Sequence, residues 1–140
     1  MDEKLKVQEH PNADLRERLW RARKFIDECY DQPIDLTEIS KQACLSRYHF
    51  LRLFRETFDT TPRQYLIKRR IDKAKELLRV HRLSVTDVCF EVGFQSVGSF
   101  SALFHKTVGD APITYRRRQH ESLKKIHGCF ISMYGLCQPD

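Results

Sequence analysis

"SRYHFLRLF", residues 46–54, returns fifty places later as "SVGSFSALF", residues 96–104. Both read Ser, three variable residues, Phe, two variable residues, then Leu-Phe. Over positions 46–65, seven of twenty residues are identical fifty places on: Ser46, Phe50, Leu53, Phe54, Thr57, Pro62 and Tyr65 recur as Ser96, Phe100, Leu103, Phe104, Thr107, Pro112 and Tyr115. Chance would supply about one such identity, so the chain carries an internal duplication. Upstream the offset is 49, because Leu36 and Ile39 match Val85 and Val88, and the second turn, "GFQS", is one residue longer than the first, "CLS".

The repeated unit is helical. Leu15, Leu19, Ala22, Ile26 and Tyr30 recur at spacings of three and four, which predicts an amphipathic helix over residues 14–31, broken by Pro33. A short helix follows from Leu36 to Ala43, then a turn at Cys44 and Leu45. Ser46 is the N-cap of a longer helix with Phe50, Leu53, Phe54 and Thr57 facing inward. Pro62 suits the first turn of a further helix, "PRQYLIKRRIDKAKELLRVHR". The pattern then restarts: Val85, Val88 and Val92 mark a short helix, Gly93 a turn, and Ser96 or its neighbour a cap. Phe100, Leu103, Phe104 and Thr107 form a second inward face, and Pro112 opens a last helix, "PITYRRRQH". No segment alternates with period two, so the fold class is all-α with about seven helices.

An α-solenoid needs at least about three repeats to bury a continuous core. Two units of short helix, tight turn and longer helix instead match two helix-turn-helix motifs. The expected organisation is an N-terminal arm (1–13), a first subdomain (14–61), the linker helix (62–80), a second subdomain (81–120) and an apolar tail (121–140). In that tail, "HGCFISMYGL" is read as folding back on the core, with a dimer contact or a partner-binding strand as alternatives.

At 140 residues and 41% hydrophobic, the chain can bury one ordinary core or two very small ones. No apolar run approaches membrane-span length, and the charged N-terminus is unlike a signal peptide, so a cytoplasmic location is expected. The five cysteines lie far apart without zinc-site spacing and read as buried, reduced thiols. No metal site or cofactor is expected. Nor is an enzyme, since no nucleophile, base and orienting group fall together. The net charge of +6 is uneven: residues 61–83 hold eight Lys or Arg against two acids, and residues 112–140 five against two. An anionic partner fits that distribution.

Opposite the first inward face, Tyr48, Leu51, Arg52 and Arg55 align along one stripe, with Arg47 beside the cap. Arg52 suits a bidentate pair with guanine O6 and N7, and Tyr48 and Leu51 suit a thymine methyl. Arg47 and Arg55 suit phosphates. Two sizeable apolar groups on a face the core does not use argue against a merely solvated surface. The second stripe is small and almost uncharged: Gly98, Ser101, Ala102 and His105, with Val97 and Ser99 adjacent and Lys106 nearby. Small residues permit close approach to base edges but supply few strong contacts, so the second copy is expected to discriminate bases weakly. Arg63, Lys68, Arg69, Arg116, Arg117 and Arg118 are further phosphate candidates, Arg69 also a candidate brace.

These residues resemble the AraC/XylS family of bacterial transcription regulators over residues 15–118. The most specific part is "VTDVCFEVGFQSVGSFSALFHKTVGDAPITYRR", with its Val-Gly-Phe turn at Val92–Phe94, the Phe100 to Phe104 stretch, the Gly109 turn and the Pro112, Tyr115, Arg116 ending. The resemblance implies a transcription regulator, sequence-specific for double-stranded DNA and expected at the nucleoid, with activator and repressor both open. Its two recognition helices would enter successive major grooves, about 34 Å apart, joined by a helix about 28 Å long. It implies RNA polymerase as a candidate partner, a monomer on DNA and a tail-mediated dimer as an option. The sequence departs from the family pattern twice. Cys44 stands where the first turn often has Gly, and Ala102 where many members carry Arg, aligned with Arg52. The competing reading is a helical protein-protein interaction adaptor whose Tyr48 and Leu51 stripe meets a protein.

Overall fold

The computed structural model describes residues 11–80 and 82–134, with side chains for 12–80 and 82–125. Among them are seven α-helices and no strand: α1 (Pro11–Cys29), α2 (Leu36–Gln42), α3 (Arg47–Phe58), α4 (Pro62–Val80), α5 (Val85–Glu91), α6 (Val97–Val108) and α7 (Pro112–Tyr134). The chain divides into two compact units, residues 1–69 and 70–140, within α4.

In the first unit, α1, α2 and α3 pack on one another around Leu19, Ala22, Ile26, Ile39, Ala43, Phe50, Phe54 and Leu66. The second unit buries Ile71, Ala74, Leu77 and Leu78 of α4, then Val88, Cys89, Val92, Phe94, Phe100 and Phe104. Helix α4 thus contributes Leu66 to the first core and Ile71, Ala74 and Leu78 to the buried set of the second unit.

The duplication is visible in the aromatic geometry. Phe50 and Phe54 lie 5.4 Å apart at 56°, and Phe100 and Phe104 lie 5.7 Å apart at 59°. Tyr65 meets Phe54 edge-on at 6.2 Å, and Tyr115 meets Phe104 edge-on at 5.5 Å. Identical letters at an offset of fifty therefore build the same packing twice.

Four expectations change. The cap and the core make Phe50 and Phe54 inward as expected, but Thr57 and Thr107 are exposed. Phe58 takes the contact instead, its ring 4.6 Å from Phe54, one turn further along the same face. Helix α1 begins at Pro11, where a missing N–H costs nothing in the first turn. Helix α7 continues through the segment read as a tail, reaching Tyr134 without an intervening proline. Residues 121–125 are exposed, and the contacts expected of the rest of the tail fall outside the described side chains. Finally, Cys89 is buried but Cys29 is half-buried and Cys44 exposed, so not all these thiols are core residues. Burial raises the Cys89 thiol pKa, which keeps it protonated and unreactive. Among the described residues, no helix is long and apolar enough to cross a membrane.

Candidate nucleic-acid interface

Helices α3 and α6 are each fixed at both ends by local hydrogen bonds. Helix α2 closes with Cys44 N–H donating to Lys41 O (3.0 Å) and Leu45 N–H to Ser40 O (3.3 Å). Helix α5 closes in the same way, Gly93 N–H to Phe90 O (3.1 Å) and Phe94 N–H to Cys89 O (3.1 Å). This paired closure requires a left-handed residue just past the helix. Gly93 supplies it at φ 96°, and Cys44 supplies it at φ 52° against the steric preference of a residue with a Cβ. The departure at Cys44 therefore leaves the turn intact. Arg18 of α1 reinforces it, donating from Nε to Ala43 O (2.8 Å) and from a terminal nitrogen to Cys44 O (2.6 Å).

The next helix starts at a serine in both copies. Ser46 Oγ accepts from His49 N–H at 3.3 Å, and Ser96 Oγ from Ser99 N–H at 3.1 Å. Both helices stop at a left-handed residue, Asp59 (φ 58°) and Gly109 (φ 95°). With Phe50, Phe54, Phe100 and Phe104 fully buried, the opposite faces of α3 and α6 point to solvent.

On α3 that face carries Arg47, Tyr48, Leu51, Arg52 and Arg55, all exposed. Tyr48 is 79% exposed. Arg52 Nε lies 3.9 Å from Glu56 Oε1, an exposed i, i+4 pair that contributes little stability and leaves the guanidinium reachable. Glu56 was not among the sequence-derived candidates, although its spacing from Arg52 is the available signal. On α6, Gly98, Ser99, Ala102, His105 and Lys106 are exposed, while Val97 and Ser101 are half-buried.

The remaining basic candidates separate into two kinds. Arg63, Lys68 and Arg117 are exposed, and Arg118 is exposed but 3.0 Å from Asp110 Oδ2. Arg69 and Arg116 are half-buried and committed within their own units. Arg69 Nε lies 2.9 Å from Asp27 Oδ1 without the alignment of a hydrogen bond, and its guanidinium sits 5.9 Å from the Tyr30 ring. Arg116 donates from Nε to Leu78 O (3.3 Å) and from a terminal nitrogen to Leu83 O, closing the end of α4 against α7.

A buttress behind α3 had no sequence signal. Arg23 stands over Trp20, Phe58 and Tyr65 at 4.7, 5.0 and 5.1 Å and donates to Tyr65 Oη at 3.0 Å. The Tyr65 hydroxyl in turn donates to Asp27 Oδ1 at 2.6 Å. Burial and the bond to Asp27 raise the Tyr65 pKa.

A helix-turn-helix built twice, each with an exposed second helix and a tightly closed turn, defines a class of nucleic-acid-binding protein. A helix-turn-helix domain model matches residues 39–118, and the chain belongs to the AraC/XylS family of transcription regulators. It is a DNA-binding helix-turn-helix regulator of the AraC type. Regulatory protein SoxS of Salmonella typhimurium is 30% identical over 95 residues, covering 68% of this chain and 89% of that protein. Probable transcriptional regulator LumQ of Photobacterium leiognathi is 32% identical over 92 residues, covering 66% of this chain and 37% of that protein. The DNA-binding domain of AdpA, solved in complex with a target DNA, superposes with a TM-score of 0.72 at 28% identity, over 75% of this chain and 95% of that one. The chain spans only part of some curated relatives, 37% of LumQ and 51% of YkgA from Escherichia coli.

Proposed function

We propose that the chain activates transcription by recognising specific double-stranded DNA sites as a monomer, with α3 and α6 entering successive major grooves. The observation that carries this reading is the α3 stripe: Tyr48 and Leu51 exposed between Arg47, Arg52 and Arg55 on a helix whose other face is locked in the core. Arg52, Tyr48 and Leu51 read base edges; Val97, Gly98, Ser99, Ser101 and Ala102 form the weaker second reader. Arg47, Arg55, Arg63, Lys68, His105, Lys106, Arg117 and Arg118 meet phosphates. Arg69 and Arg116 instead brace the units that carry the readers. The functional divisions are the two readers, 14–61 and 81–120, and the linker helix, 62–80. The chain acts at the nucleoid, and RNA polymerase is the partner that an activator bound there would meet.

Selection of bound duplexes from a random pool, followed by a salt titration, tests this. A consensus with two half-sites about one DNA turn apart is expected. Its affinity should fall on a log-log plot against salt with a slope of about −0.9 per phosphate contacted. Equal affinity for every duplex would sink the reading.

A further inference from the structure

The two copies differ most at one scaffold position. Tyr48 and Gly98 both stand two residues after the N-cap serine, and Tyr48 is the most exposed large apolar side chain described, at 79%, while Gly98 has no side chain at all. Among the described residues, nothing calls for a glycine there. Apart from its chain neighbours and the backbone of its own turn, a Cβ built on Gly98 meets no described atom within 4 Å, and its φ is not among the positive ones. Replacing such a glycine by alanine ordinarily stabilises a helix, because the unfolded chain loses freedom and the folded one loses none. Gly98 therefore keeps a cost that no internal contact explains.

We infer that Gly98 is a clearance residue that sets how closely α6 seats on DNA, an inference that rests on the DNA-reading role proposed above. The first turn of a recognition helix is the part that meets base edges. Helix α6 cannot retreat to make room. Phe100 packs on Phe94 at 5.3 Å and on Phe104 at 5.7 Å, and Phe104 on Tyr115 at 5.5 Å, with both α6 rings fully buried. Any atom added at 98 has to be accommodated on the DNA side. The pair Tyr48 and Gly98 then divides the labour: α3 reaches its groove with a projecting ring, while α6 brings its backbone there.

The test uses the full chain and its best duplex from the random pool, with melting temperature and equilibrium affinity read on Gly98→Ala and Gly98→Tyr. Gly98→Ala should melt at or above the wild-type temperature yet bind tenfold or more weakly, and Gly98→Tyr should bind more weakly again. Unchanged or tighter binding by Gly98→Ala overturns the inference and leaves the DNA-binding reading standing. A lower melting temperature for Gly98→Ala also overturns it, making Gly98 a folding residue. A wild-type chain that selects no duplex removes both.

Discussion

The Tyr65 hydroxyl donates to Asp27 Oδ1 at 2.6 Å, tying the first turn of α4 to α1, with Arg23 donating to the same hydroxyl. Tyr115, its repeat partner, keeps the edge-on contact with a core phenylalanine. Tyr65→Phe should therefore lower stability by about 1 to 2 kcal/mol, through the lost hydrogen bonds to Asp27 and Arg23. Chemical denaturation of Tyr65→Phe and Tyr115→Phe should show the larger loss at Tyr65.

That bond also predicts a pH dependence. The Tyr65 pKa is raised above its ordinary 10.0, so the folded state holds the proton more tightly than the unfolded one. The stabilisation is complete below about pH 10 and is lost as pH climbs through the raised value. Wild type should lose more stability than Tyr65→Phe on titration above pH 10, read as midpoint shifts in denaturant.

Cys44 and Gly93 occupy the same left-handed position in the two turns. Cys44→Gly should stabilise the chain by about 1 kcal/mol, since the left-handed conformation penalises a Cβ, while Gly93→Ala should destabilise it by about 1 to 2 kcal/mol. Melting curves of both variants check the opposed signs.

Arg52→Ala should weaken binding by about 1 to 3 kcal/mol and relax preference at one base pair, with the fold intact. Binding to a panel of single-base operator variants is the measurement. Equal losses on every sequence would reassign Arg52 to phosphate.

Arg116 and Arg117 are neighbours with different commitments, one bonded to Leu78 O and Leu83 O and the other exposed. Arg117→Ala should reduce the salt slope of DNA binding by about one and leave the melting temperature unchanged. Arg116→Ala should lower the melting temperature, because two backbone carbonyls lose their donor.

Much of the fold was legible because it is written in local spacing. Caps, helix periodicity and the turn glycine act over three or four residues, and a fifty-residue offset repeats them, so the duplicated helix-turn-helix and the linker from Pro62 to Val80 could be read directly. The two exposed stripes followed by elimination, as the faces the phenylalanines do not use.

What tertiary structure alone decided lies in contacts between residues far apart in the chain. The Tyr65 to Asp27 bond spans 38 positions and the Arg116 to Leu83 bond 33, and no periodicity marks either. Distant contacts of this kind are why Arg69, beside Asp27 and Tyr30, and Arg116, bonded to Leu78 O and Leu83 O, differ from Arg63 and Arg117, their equals as letters in a basic run, and Arg18 likewise holds the turn at Cys44 from 26 positions away. The sequence determined that one scaffold was built twice; packing decided which of its charges are left exposed.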